Sequence, residues 1–462
     1  MHRDCGPLVK VANHRAMATC LHATRGEREM YQIKSGTGTR LLQAKRSFLR
    51  TLLFAALSLP AVLSPFCSSA LADQFHYVNS LIGDRASGMG GAYTAISDDA
   101  TGLYYNPAGV VYASGRDLSV SANVYFHSTK NYKGALGRFD WNRVSSALLP
   151  NYFGIVQPLG NAMVGFSYAV PDSSLEDQDQ TFTDVSQFTR RYVINFHSDD
   201  RTYNFGPTIA VPIKDDLSVG ITLYYFLRRW QYIQNEVVFY DTPTYGWTNR
   251  FYELTESGFR PVLGVMWLPA EKVSLGLSLS KVFLLDSTAF QQDSCSDTNI
   301  DGVGCDTPVT VNSTTVKDKR KFPVHVAVGA AYYLTPDLLL SGDLKYYTRV
   351  VDQVGGNQSA ITNLALGAEY AMTTVWTVRG GLFTDLANTP DVVASGTQQL
   401  EHMDLYGISM SVRHFMRKTT SVTVGGSYAA GSGKAQIRGG SNDIQDVELT
   451  SWTLFLSSSY AY

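Results

Sequence analysis

Toward its C-terminal end the chain places Trp452, Leu454, Leu456, Tyr460 and Tyr462 on one side of an extended strand. Thr453, Ser457 and Ser459 fall on the other side, because successive side chains of a strand point to opposite faces. A strand that is greasy on one face, polar on the other and aromatic at its tip suits a wall between lipid and water. An exposed strand of that kind in a soluble protein would invite aggregation. The stretch therefore predicts the closing strand of an outer-membrane β-barrel.

The same period of two recurs along the chain. Leu118, Val120, Ala122, Val124 and Phe126 alternate with Ser119, Ser121, Asn123, Tyr125 and His127. Val273, Leu275, Leu277 and Leu279 alternate with Ser274, Gly276, Ser278 and Ser280. Small polar residues on the second face suit a lumen. Tight connections fall at Gly160-Asn161, Lys214–Asp216, Pro269–Lys272, Thr335–Asp337, Met372–Thr374 and Arg417–Thr419. Long ones fall near 129–143, 174–199, 241–249, 286–320, 352–359, 388–400 and 432–447. Six short turns and seven long loops predict an all-β, antiparallel transmembrane barrel of about 14 strands over residues 116–462. A soluble sandwich or propeller would not need this short-long alternation together with the N-terminal signal described next.

Lys45, Arg46 and Arg50 form a basic region, Leu52 to Leu63 an apolar one, and Ala70-Leu71-Ala72 a cleavage site. Residues 1–72 are thus expected to be an N-terminal extension and signal peptide, cleaved after Ala72. Residues 1–44 carry scattered charge and no apolar period, which fits a later translation start such as Met30. The formal net charge is −2, so nothing points to a nucleic-acid partner. Twenty-seven tyrosines and 22 phenylalanines suit aromatic girdles at two membrane interfaces. Outer-membrane lipids are then expected neighbours of the outer wall. After the signal only Cys295 and Cys305 remain, which predicts one bridge in an oxidising compartment.

Residues 73–115 lack the alternation and hold too few apolar side chains to fold alone. They are expected to pack inside the lumen as a hatch. Their motifs are Arg85-Ala86 in a glycine-rich stretch, Asp98-Asp99-Ala100 and Asn106-Pro107-Ala108. This segment resembles the N-terminal hatch of FadL-type long-chain fatty acid transporters, which include the TodX-like aromatic hydrocarbon channels. The strand Trp376–Asp385, with Arg379-Gly-Gly and then Pro390-Asp391, is similar to a second family feature. The resemblance implies passive uptake of hydrophobic small molecules, fatty acids or aromatic compounds, with ligand held in the lumen. It also implies an inward kink in the third strand, release sideways through the resulting gap, and a hatch Asn-Pro-Ala lying against that kink. Here the third strand is Ala162–Pro171, and Gly165 and Pro171 both weaken a ladder. The hatch equally resembles PorV-type barrels, which serve secretion, so an interaction barrel is the alternative.

Charged residues sit on the polar face of neighbouring strands: Asp343 and Lys345, then Glu369, then Arg379 and Asp385. Two readings are open. Arg379 and its neighbours either bind a ligand carboxylate or form a network that ties lumen to hatch. Asp297, Asn299 and Asp301 before Gly302 resemble a calcium loop, though Pro308 stands where the last carboxylate belongs. The other reading is a solvated loop clipped by Cys295 and Cys305. No His-Glu-x-x-His or Gly-x-Ser-x-Gly motif is present, so the expectation is a non-enzyme that needs no cofactor beyond that possible structural calcium.

Overall fold

A computed structural model of the chain describes residues 70–71 and 76–461, apart from 79, 114, 137–138, 187, 299–308, 355, 395–398 and 437–442. Fourteen antiparallel strands follow one another around a closed wall. They are β1 (Asp117–Leu136), β2 (Phe139–Leu159), β3 (Ala162–Ser186), β4 (Thr189–Lys214), β5 (Leu217–Tyr240) and β6 (Tyr245–Ala270). Strand β7 runs Val273–Ser280 and continues as Phe283–Asp297, and β8 runs Thr310–Val316 and then His325–Thr335. The rest are β9 (Leu338–Tyr347), β10 (Ile361–Ala371), β11 (Trp376–Asp385), β12 (Gln399–Arg417), β13 (Thr420–Gln436) and β14 (Gln445–Ala461). Strand β14 pairs back onto β1, with Tyr460 opposite Leu118, which closes the wall; among the described residues the outer piece Thr310–Val316 pairs with Phe283–Asp297 alone.

The wall is inside-out relative to a soluble protein. Leu277, Leu279, Leu364, Leu382, Ile408 and Leu454 are exposed on the outside. Ser274, Ser278, Asn363, Ser411 and Thr423 are buried on the inside. Closure lets neighbouring strands pair their backbone groups around the wall, as an apolar bilayer demands. Exposed Trp267, Tyr332, Tyr370, Trp376 and Tyr460 cluster at the short-turn end. Trp452 lies eight residues beyond Tyr460 on β14, about 26 Å along a strand, and marks a second aromatic level. This architecture is that of a bacterial outer-membrane barrel.

All six expected tight turns fall between strands. The expected outer loops over 129–143 and 174–199 do not: β1 and β2 together cover the first except 137–138, and β3 and β4 the second except 187–188. Parts of 286–320 and 432–447 are strand as well. The physical reason is that a membrane consumes only about 9–11 residues of a strand, while β3, β4 and β6 have 25 or 26. The surplus continues the paired ladder beyond the membrane. Charge there signals solvation without loss of the ladder, as in Asp179 paired with Asn195.

The expected cleavage point and nearly everything before it lie outside the described residues; Ala70–Leu71 runs beside Thr389–Pro390. The described part of 73–115 fills the interior. It contains α1 (Asp84–Gly88), α2 (Gly102–Tyr105) and a 3-10 turn at Pro107–Tyr112. Ile82, Ala86, Met89, Ala92 and Leu103 are fully buried there.

Candidate functional site

The interior segment is tied to strands on all sides of the wall. Gly83, at φ 73°, turns the chain into α1, a left-handed conformation that glycine adopts without steric cost. On β9, Asp343 accepts the Tyr93 and Thr94 amides, both at 2.9 Å, and the Thr94 hydroxyl at 2.7 Å. Lys345 donates to the Gly91 carbonyl at 2.8 Å. Ser218 and Thr222 on β5 donate to the Ala108 and Leu103 carbonyls. Ser274 on β7 donates to the Ala95 carbonyl at 2.6 Å. Asp117 on β1 accepts the Ala100 amide at 3.0 Å. Each bond satisfies a backbone or side-chain group that burial would otherwise leave costly.

The predicted charged residues meet in one cluster. Arg85 holds Glu369 with two parallel bonds of 2.8 and 2.9 Å and also pairs with Asp98. Arg379 donates to the same Glu369 at 2.7 Å and lies 3.7 Å from Asp84. Thr423 completes Asp84 at 2.6 Å. Burial opposes charge on Asp84, but Arg379 and Arg413 outweigh it and hold its carboxyl below the usual range. At Asp99 burial dominates and, with Asp98 nearby, pushes the carboxyl up despite Arg85. The geometry favours the tying network over the carboxylate-binding end. Arg379 has a side chain with no exposure, enclosed between Glu369 and Asp84.

Asn106, Pro107 and Ala108 also stand elsewhere than the resemblance implies. Asn106 donates to the Thr94 carbonyl at 2.8 Å and to the Val265 carbonyl on β6 at 3.0 Å, and it accepts the Ala108 amide at 3.2 Å. A Cβ on Gly220 of β5 would stand 2.6 Å from the Pro107 carbonyl carbon, and one on Gly264 of β6 would overlap the Asn106 side chain. The triplet is thus seated on two glycines of β5 and β6, away from the third strand's irregularity. Two wall glycines permit this close approach, and no bulkier residue would.

That irregularity is present. The β2–β3 ladder runs from Leu159–Ala162 to Tyr152–Ala169, then lapses until Ser145–Glu176. Residues 146–151 and 170–175 are left unpaired across this seam, and Pro150 and Pro171 lie in it. Proline cannot donate to a ladder. Pro150 and Pro171 are therefore both breakers; Gly165 stays paired with Val156. Asn151 donates to the Leu81 carbonyl at 3.0 Å, and Ser145 accepts the Leu175 amide at 3.1 Å. So the interior segment reaches the seam through Leu81.

Two cavities adjoin it. An outer one of about 690 Å³ is framed by Trp141, Phe196, Trp230 and Tyr232. An inner chamber of about 220 Å³ is framed by Tyr77, Tyr104, Tyr105, Phe226, Phe322 and Tyr347. Val78, Leu81 and Asp172 line both. Pro171 and Asp172 belong to the unpaired stretch and line the inner chamber.

Sequence reasoning missed the charges that frame these cavities. Arg143 grips Glu176 with bonds of 2.7 and 3.0 Å across the seam, while Lys130 pairs with Glu401 at 3.0 Å. Arg320 and Arg228 converge on buried Glu256, at 2.8 and 3.6 Å. Most of these residues fall in stretches read as loops, and alternation alone, carried past the membrane, would have turned them inward. Cys295 is disulfide-bonded; its expected partner Cys305 lies outside the described residues, as do Asn299 and Asp301. Asp297 ends β7 and accepts the Tyr240 hydroxyl at 3.2 Å.

The fold has known counterparts. A Pseudomonas aeruginosa FadL homologue superposes with a TM-score of 0.58 at 13% identity, over 85% of this chain and 99% of that one. The Pseudomonas putida toluene transporter TodX gives 0.60 at 12% identity, over 83% and 99%. The Ralstonia pickettii toluene transporter TbuX gives 0.56 at 14%, over 83% and 99%. The sequence matches no protein-family profile and no curated protein.

Proposed function

We propose that this chain is a passive conduit for hydrophobic small molecules, without catalytic chemistry and without a cofactor. Ligand is captured in the outer cavity, passes Val78 and Leu81 into the inner chamber, and leaves sideways through the β2–β3 seam. The observation that carries this reading is that Pro171 and Asp172 line the chamber and also belong to the unpaired seam. The interior segment obstructs a straight aqueous path, which argues against a general porin. An interaction barrel would need no aromatic-lined cavity beside a wall seam. Two counterparts named as toluene transporters support an apolar cargo. Purified protein should release a bound apolar compound on solvent extraction, identified by mass spectrometry. Cells carrying the protein should take up toluene or a fatty acid faster than cells lacking it. Equal uptake of both compounds in the two strains refutes the proposal.

A further inference from the structure

The inner chamber is more than greasy. Arg228, Arg320, Arg260, Lys281 and Lys345 all line it, against one lining carboxylate, Asp172, among the described residues. Arg228 and Arg320 are matched by Asp200 and Glu256 just behind the lining. Lys345 is spent on the Gly91 carbonyl. Arg260 and Lys281 differ: among the described residues neither has a carboxylate in ion-pair contact; Lys281 lies 5.5 Å from the Phe283 ring centroid, while the Arg260 guanidinium lies 5.0 Å from the Tyr104 ring centroid, within the aromatic lining. An arginine stays charged at any physiological pH and presents a planar fork that fits an acid group. An enclosed cation without an anion is costly. The His325 Nε2, also in the lining, is buried without a hydrogen-bond partner.

The rest of the lining selects the body of the ligand. Tyr77, Tyr347 and His325 form a column, with ring centroids 3.9 Å apart for the first pair and 4.5 Å for the second. Phe226 meets Phe322 edge to face at 5.5 Å. Flat faces of this kind favour another ring. At about 220 Å³ the chamber is smaller than the roughly 300–1,000 Å³ that holds drug-sized ligands. A long extended chain does not suit it.

We propose that the inner chamber binds a compact aromatic anion, an aryl carboxylate whose acid group pairs with Arg260 and whose ring joins the aromatic lining. This rests on the conduit reading and names the cargo of its inner site. The test uses the full-length barrel in detergent micelles, with equilibrium dialysis of cinnamate, neutral cinnamyl alcohol and palmitate. Cinnamate should bind best and weaken as salt screens the pair, whereas cinnamyl alcohol should be insensitive to salt. Arg260→Gln should weaken cinnamate roughly ten- to hundredfold and leave the alcohol unchanged; Arg260→Lys should fall between. Heat-modifiable migration on gels verifies the fold of each variant. If Arg260→Gln does not fold, the salt series and Arg260→Lys decide. Palmitate outcompeting cinnamate, cinnamate binding indifferent to salt, or equal cinnamate binding by the folded Gln variant overturns the inference. Failure of cinnamate to bind at all does so too. Normal toluene uptake by cells with the Gln variant leaves the conduit reading standing in each of those cases. Cinnamate binding to a barrel that speeds no uptake sinks the conduit reading alone.

Discussion

Glu369 is the residue on which the interior segment's charge network turns, so Glu369→Gln is the sharpest perturbation of the plug. The wild-type carboxylate accepts from Arg85 at 2.8 and 2.9 Å and from Arg379 at 2.7 Å. Glutamine keeps the volume, removes the charge and leaves two guanidinium groups short of a partner. Removing one member of a buried ion pair costs about 3–5 kcal/mol. The lower end applies here, about 3 kcal/mol, because Arg85 keeps Asp98 and Arg379 keeps Asp84 nearby. At 1.4 kcal/mol per factor of ten, that raises the undocked fraction of the segment roughly a hundredfold. The wall itself should be untouched, since its ladder does not use the Glu369 side chain. Single-channel recording in planar bilayers should therefore show brief openings in the variant at a frequency far above wild type. Protease added from the short-turn side should cut within residues 76–113 sooner, while heat-modifiable migration stays normal. Adding Asp343→Ala removes the acceptor of three more bonds and should make the openings long-lived. A variant as quiet and as protected as wild type would show that the network does not hold the segment, and the argument from buried charge would fail.

Three further outcomes follow from the same geometry. Asn106→Ala strips the tie between the segment and β6, at about 1–3 kcal/mol for the groups left unsatisfied; bilayer recordings should show added ionic leak with the barrel intact, and slower uptake without leak would instead make Asn106 a gate. Ala147→Cys with Ser174→Cys places thiols opposite each other across the unpaired seam, by continuing the register on either side; oxidation should stop uptake and reductant should restore it, whereas transport indifferent to the crosslink rules out the lateral path. Thiol labelling of non-reduced protein should leave Cys295 unmodified, and Cys295→Ser should loosen the outer loop by about 2–3 kcal/mol on the chain-entropy account, read as faster loop proteolysis; a reactive Cys295 thiol would contradict the bridge.

Strand count, facing and closure were legible because a membrane wall writes them into every second residue. Leu277 and Leu279 can only face lipid, and Ser274 and Ser278 can only face inward, once the period is read. Strand length was not legible. Above the bilayer charged side chains interrupt the apolar period, so Glu176 and Asp199 look like loop residues although both sit in a continuous ladder. Partners across the lumen were not legible either. Period two gives the direction of a side chain and says nothing about which strand on the far wall it meets. Hence Lys130 and Glu401, 271 positions apart, could not be joined by any local pattern, and the Asn106 triplet was assigned to the wrong strands.

These two blind spots bear on function differently. Inward polar residues of the lower barrel, such as Ser218, Thr222, Ser274 and Asp343, do not make a water channel, because each is spent on the backbone of the interior segment. Polarity there works as adhesive, and it is matched to glycines at 220 and 264 that let the segment sit flush. Above the segment the inward polar residues pair with one another and stand among aromatic rings, as Arg143 does with Glu176, 4.5 Å from the Phe196 ring centroid. Self-paired charge presents little net field to a ligand, so a neutral apolar molecule meets chiefly the rings. At the boundary between these zones stand Arg260, its charge unmatched by any carboxylate contact among the described residues, and the seam at Pro171. Among the described residues, the chamber that offers a ligand an unmatched arginine is therefore also lined by Pro171 of the unpaired seam. A barrel whose lumen was filled only for stability would have no reason to bring those two features together.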